Sequence, residues 1–303
     1  AFPPRLQTPA NLQVAGAATD YEITLEPNNR PWLLLLDATP VAPKLAGFDV
    51  AMTPELVWQA DRPFTDLIRY SARSYADFRF GPLRQTISLQ DFVDLPAGFN
   101  PRTLALAAQM RRDPALATAG GAQLVAAVLE RLRTGGYGYT LDPGVYGQHT
   151  ADEFWFDRKE GFCEHIASSF VVLMRALDVP ARIVTGYQGG ERNAVDGFWT
   201  IRQSDAHAWA EVWMAGRGWV RVDPTAVVAP SRTGSFQRLQ APRGVIASAL
   251  NGAFGTVNPT LLATLRATWD AVNNSWNQWV LNYSQAKQLN LLRDIGFDAP
   301  SWE

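Results

Sequence analysis

Between residues 163 and 222 the spacing of apolar side chains changes once, and that change limits what this part of the chain can build. Ile166, Ala167, Phe170, Val171, Leu173, Met174 and Leu177 recur in steps of three and four, which is one wide helical face, and Pro180 stops the run after Asp178 and Val179. Downstream the strand candidates are Arg182 to Tyr187, Phe198 to Ile201, His207 to Trp213 and Gly218 to Val222, with Gly189-Gly190 and Gly216-Arg217-Gly218 marking turns. A buried helix followed by antiparallel strands is an α+β pattern.

The last two strands can be registered on paper. If Ala215, Gly216 and Arg217 form a three-residue hairpin loop, Trp213 stands opposite Trp219, Glu211 opposite Arg221, and Trp209 opposite Asp223. The aromatic pair and the opposite-charge pair each favour this register by about 0.2–1 kcal/mol. The same register sets Asp223 diagonally next to His207 on one face, whereas a two-residue loop would put them on opposite faces. Pro224 ends the pairing there.

Cys163 is the only cysteine in 303 residues, and it falls in the first turn of the expected helix. Unsatisfied amides at a helix N-terminus favour thiolate over thiol. A thiolate nucleophile needs an imidazole to share its proton and a third group to hold the ring. Of the three histidines, His149 lies in a Gly-Gln-His-Thr loop and reads as surface, and His165 is two positions from Cys163 on the same helix, so the two do not face each other. His165 reads as structural. His207 opens an alternating strand, a good mount for a base. A lone cysteine packed as a small hydrophobe remains open at this stage, as does a zinc site of Cys163, His165, His207 and Asp223, although Cys-x-His on one helix converges poorly.

The upstream part has another texture. Tyr21 to Leu25, Trp32 to Leu36 and Leu67 to Tyr70 are short β-rich runs broken by turns such as Pro27 to Pro31, the pattern of a small sandwich. Asn100-Pro101 reads as a helix start, and Thr103 to Arg112 and Ala122 to Arg133 have helical spacing. The plan is a β-rich N-terminal domain at residues 1–97, a core at 98–230, and at 231–303 a connector with a long C-terminal helix whose seam runs Leu262, Leu265, Trp269, Val272, Trp276, Trp279, Tyr283. A net charge of −2 lacks the basic excess that neutralises phosphates, so no nucleic-acid partner is expected. One cysteine permits no internal disulfide, and no apolar run nears the roughly 18 residues of a membrane-spanning helix. Starting at Ala1 without a targeting segment, the sequence reads as a piece of something longer.

Gly161-Phe162-Cys163-Glu164-His165, Pro180-Ala181-Arg182, the run Asp205 to Val212 and the run Gly218 to Thr225 resemble the transglutaminase core of bacterial transglutaminase-like proteins, with Asp152 to Phe156 resembling the segment before the cysteine. The resemblance covers roughly residues 120 to 228. It implies a papain-like α+β core in which the nucleophile helix packs on an antiparallel sheet, with Cys163 as nucleophile, His207 as base and acid, and Asp223 orienting His207. It implies acyl transfer from a glutamine side-chain amide to a primary amine or to water, with protein or peptide substrates. No calcium loop of the spaced Asp/Glu type stands out, so no metal is expected, and no cofactor. It also implies a periplasmic domain of an inner-membrane protein, because in one bacterial branch of the family the domain sits between membrane helices. By position, the Cys163 N–H is one oxyanion donor. Trp155, eight positions before Cys163, is not assigned the indole role seen in animal relatives, and Tyr137, Tyr139, Trp155, Tyr187 and Trp199 divide between cleft and core. A cysteine peptidase or amidase with the same triad, and a non-catalytic binding module, are the alternatives.

Overall fold

The computed structural model describes residues 11–230. The expected C-terminal helix therefore lies outside the described residues. The chain forms two compact units: residues 11–78 with Arg192–Thr200, and Arg79–Glu191 with residues 201–230. Among the described residues no helix is long and apolar enough to cross a membrane.

In the first unit two long strands, β1 (Leu12–Leu25) and β4 (Ile68–Phe80), pair with each other, and the short β2 (Val50–Met52) and β3 (Trp58–Ala60) form a separate antiparallel pair. Leu25, Leu33, Trp58, Ala60, Phe64, Ile68 and Tyr70 make its core. Trp32 to Leu36, expected as a strand, contributes only an isolated bridge from Trp32 to Gln59. Side chains serve its backbone instead: Tyr70 donates its hydroxyl hydrogen to the Leu34 carbonyl, and the Leu36 N–H donates to Tyr21 Oη. Hydroxyl partners of this kind replace a ladder, which is why β-prone composition did not produce one. The short antiparallel pair β8 (Glu191–Arg192) and β9 (Trp199–Thr200) is all that forms around the expected strand at 198–201.

The second unit carries the cysteine. Its helices are α1 (Pro101–Arg112), α2 (Gly121–Thr134), the single turn α3 (Thr150–Asp152), α4 (Cys163–Ala176) and the short α5 (Thr225–Val228). A small parallel pair, β5 (Gly138–Tyr139) and β6 (Glu160–Gly161), leads into α4. The main sheet has three antiparallel strands in the order β11 (Gly218–Val222), β10 (Ala206–Met214), β7 (Ala181–Tyr187). Ile166, Phe170, Leu173 and Met174 of α4 are fully buried in one core with Ala181, Ala210 and Val212 of the sheet. The small even-numbered residues of β10 leave room for the helix, and the helix ends after Leu177, where Asp178 turns left-handed at φ 58° ahead of Pro180.

The hairpin has the expected register, with Glu211 opposite Arg221, Trp213 opposite Trp219, and a loop of residues 215–217. Gly218 closes it at φ +77°, and a Cβ there would run into the Phe80 carbonyl, so this position needs glycine. The odd-numbered face of β10 is covered as well. Trp213 donates its indole N–H to the Pro82 carbonyl at 2.6 Å, and Phe92 packs edge-on against Trp219.

Candidate active site

α1 and the segment before the cysteine hold each other's ends. Asp152, only 3% exposed, accepts the N–H groups of Arg102 and Thr103 at 3.0 and 2.7 Å, capping α1. Asn100 in return accepts the N–H of Ala151 at 3.0 Å, and its own N–H donates to His149 Nδ1 at 3.1 Å. His149 is thus half-buried at a helix start instead of lying free on the surface. Trp155 is fully buried, with its indole N–H given to the Ser169 carbonyl at 3.1 Å, so it is a core residue. Tyr137 packs on it, whereas Trp199 is 60% exposed.

Cys163 is the first residue of α4, and the preceding Phe162 supplies no side-chain cap. The first-turn amides are therefore open to another acceptor. The Glu164 amide, the Ala208 amide of β10 and His207 all draw the pKa of the sulfur down. His165 goes elsewhere, packed between the rings of Tyr146 and Phe162 at centroid distances of 4.4 Å each. Its separation from Cys163 leaves the four-residue zinc set unassembled, and among the described residues no group of three or more His, Cys, Asp and Glu is placed to hold a metal ion.

His207 Nε2 lies 2.8 Å from Asp223 Oδ2, with the two side chains 5% and 13% exposed. Nδ1 is then the ring nitrogen available to the sulfur. Asp223 follows the last residue of β11, and its second oxygen accepts the Thr225 N–H at 3.1 Å, so the start of α5 fixes the carboxylate. Trp209 and Asp223 do not form a ladder pair, because the strand ends at Val222.

The electrostatics follow from these contacts. Burial pushes the Cys163 thiol up, but the hydrogen bonds from His207 and from the Ala208 and Glu164 amides, with the attraction of the His207 charge, outweigh it and hold the thiol below its ordinary range. Burial likewise opposes charge on His207, yet hydrogen bonds to Asp223 and Cys163 and the pull of both negative groups push it up to about 9. Both shifts favour the charged forms, a lowered thiol beside a raised imidazole that bonds a carboxylate. Ala208, whose amide helps to lower the thiol, is missing from the sequence reasoning, and no local pattern singled it out.

A family model described as the Transglutaminase-like superfamily matches residues 106–224. A protein-glutamine gamma-glutamyltransferase of Pseudomonas aeruginosa is 34% identical over 282 residues, covering 91% of this chain and 40% of that protein, so the chain spans well under half of that relative's length. An uncharacterised Bacillus subtilis protein, YebA, is 38% identical over 78 residues, 24% of this chain and 11% of that protein. Among solved structures, the periplasmic domain of TgpA from P. aeruginosa superposes with a TM-score of 0.68 at 33% identity, covering 76% of this chain and 79% of that one. The same domain bound to ethylmercury gives 0.67 at 32% identity, covering 77% and 89%.

Proposed function

The chain belongs to the transglutaminase-like superfamily, and from that premise we propose that it transfers the acyl group of a glutamine side chain to a primary amine through a thioester on Cys163. The observation that supports this most directly is His207 held 2.8 Å from the Asp223 carboxylate, while Cys163 begins an uncapped helix and its thiol is drawn down by His207. The thiolate attacks the side-chain amide carbon, and the negative charge moves to the amide oxygen. The Cys163 N–H, at the helix end, is aimed to stabilise that charge. The tetrahedral intermediate collapses as the His207 imidazolium gives its proton to the departing nitrogen, releasing ammonia and leaving a thioester. An amine then attacks, neutral His207 takes its proton, and collapse returns the thiolate with a new secondary amide formed. Water in the same position gives glutamate.

Asp223 holds the ring in the tautomer and direction both steps use. The natural setting is a periplasmic domain of a membrane-embedded chain with protein or peptide substrates, as the named relatives support. The test is incorporation of a fluorescent primary amine into a glutamine-donor protein by the purified chain. Wild type incorporates it, and Cys163→Ala does not. Peptide cleavage without incorporation would replace acyl transfer by proteolysis, and neither activity, with Cys163 inert to alkylation, would make the domain a binding module.

A further inference from the structure

Trp209 stands two residues beyond His207 on β10 and is 6% exposed. Its indole and the imidazole are nearly parallel, 27° apart with centroids at 6.2 Å. The far edge of the indole lies across β7 at Gly186, the register partner of His207, where an added Cβ would meet Trp209 Cη2 at 2.9 Å. Arg221 of β11 sets its guanidinium 4.1 Å from the indole centroid and donates to Gln188 Oε1 at 3.2 Å. Three strands thus fix one ring: β10 carries it, β7 makes room for it, and β11 backs it.

The imidazole it flanks has two tethers, Asp223 at Nε2 and the Cys163 sulfur. Both act along the ring plane, so neither resists tilting out of that plane. The second tether is also temporary. Once the sulfur is acylated it bears no negative charge and accepts hydrogen bonds poorly, which is the stage at which His207 must take a proton from the incoming amine. A parallel ring alongside resists the tilt and keeps water from the His207–Asp223 bond. We propose that Trp209, seated on Gly186 and backed by Arg221, is a positioning residue that holds the His207 ring in place while the thioester waits for its acceptor. The proposal rests on the catalytic reading of Cys163, His207 and Asp223. The charged and titratable groups on the elements around the imidazole are Asp223 after β11, Cys163, Glu164, His165 and Arg175 on α4, Arg182 and Tyr187 on β7, Glu211 on β10 and Arg221 on β11.

The test compares wild type, Trp209→Leu, Trp209→Phe, Gly186→Ala and the Gly186→Ala/Trp209→Leu double variant in the full chain. Gly186 does not have a positive φ, so alanine is tolerated by the backbone there and acts by displacing the indole. Amine incorporation falls on the order of 100-fold in Trp209→Leu and in Gly186→Ala, the size of effect that small misplacements of a catalytic group produce. Trp209→Phe recovers most of that loss. Because acyl transfer out of the thioester suffers more than its formation, intact-protein mass spectrometry with a glutamine-donor peptide finds a larger acylated fraction in both variants than in wild type. The double variant is no worse than Trp209→Leu alone, because Gly186→Ala acts through the ring. Fully additive losses, an unchanged acylated fraction, or wild-type turnover in Trp209→Leu would overturn the proposal.

A second readout needs no turnover. NMR titration of the His207 imidazole gives a midpoint near 9 in wild type, and it moves down toward the ordinary histidine value in both single variants as water reaches the Asp223 bond. A wild type that titrates this way but transfers no acyl group refutes the function and leaves the positioning intact. A midpoint unmoved by either variant refutes the positioning. If Trp209→Leu fails to fold, Gly186→Ala alone decides.

Discussion

The strand β10 carries two cation–carboxylate pairs built from similar parts, and they have opposite uses. At one end Arg182 bonds Glu211 at 2.8 Å, the side chains being 12% and 14% exposed, with the guanidinium over the rings of Trp219, Phe80 and Phe92 at 4.5, 5.2 and 5.8 Å. At the other end His207 bonds Asp223 at the same 2.8 Å, at 5% and 13% exposure, with Trp209 alongside. Distance, burial and aromatic cover are nearly matched. What differs is the cation. A guanidinium does not give up its proton in a protein, so the first pair can only hold strands together. An imidazole pushed up to about 9 beside a sulfur can exchange its proton within the working range. On the proposed function, the sheet separates chemistry from structure by the choice of base.

Removing each cation should break the comparison in opposite ways. His207→Gln is expected to lower amine incorporation on the order of 1000-fold or more, as loss of one member of a catalytic unit does. Glutamine can still bond Asp223, so urea denaturation should show a change below about 2 kcal/mol. Arg182→Met takes the guanidinium at 2.8 Å away from the half-buried Glu211 carboxylate. It should cost about 3–5 kcal/mol by the same measurement, while the folded fraction keeps its activity at low temperature. Loss of activity without loss of stability in Arg182→Met would show the two ends to be coupled. Adding Glu211→Leu to Arg182→Met removes the carboxylate as well and should return stability to within about 2 kcal/mol of wild type. No such rescue is available at the His207 end.

The difference in function also tracks how legible each pair was from sequence. α4 could be read because its spacing and its stop at Pro180 are local, and the β10–β11 register because its turn glycines and cross-strand pairs lie within a few residues of each other. From that hairpin the nearness of Asp223 to His207 followed. The placement of Glu211 opposite Arg221 followed from the hairpin, but the ion pair of Glu211 with Arg182, which comes from β7, 29 residues away, did not. The exchange of caps between Asn100 and Asp152 spans 52 residues and has no periodic signature at all. Trp209 read as one of several large residues on a strand face. Its orientation depends on the missing side chain of Gly186 on another strand, which no local pattern encodes. Residues 32 to 36 failed in the reverse sense, with strand composition but partners that are hydroxyl groups.

Changing the carboxylate instead of the cation sharpens the comparison. Asp223→Asn preserves shape but offers the ring no charge and the wrong tautomer, and turnover should fall on the order of 100-fold or more. The pH profile of kcat/KM should be bell-shaped in wild type, with an alkaline limb near 9 where the imidazolium is lost and an acid limb below the ordinary thiol range where the thiolate is protonated. In Asp223→Asn the alkaline limb moves down. In Arg182→Met neither limb moves, because that cation is remote from both groups.

The smallest effect is on stability, and its sign is fixed by linkage. The folded state raises the His207 pKa above the ordinary value of about 6.5, so the protonated ring is bound more tightly by the folded than by the unfolded chain. Its contribution is complete below about pH 6.5 and is lost as pH rises through about 9. Cys163, held below its ordinary range, contributes with the opposite slope, but it is present in both wild type and Asp223→Asn, so the difference between those two follows mainly the imidazole. Their difference in melting temperature should therefore be widest near pH 6 and nearly vanish above pH 9. The difference between wild type and Arg182→Met should stay flat across that interval, since that substitution leaves the His207–Asp223 pair in place. A pH-independent gap for Asp223→Asn would mean that His207 is not charged by its contact with Asp223, and the two ends of β10 would then be the same kind of pair.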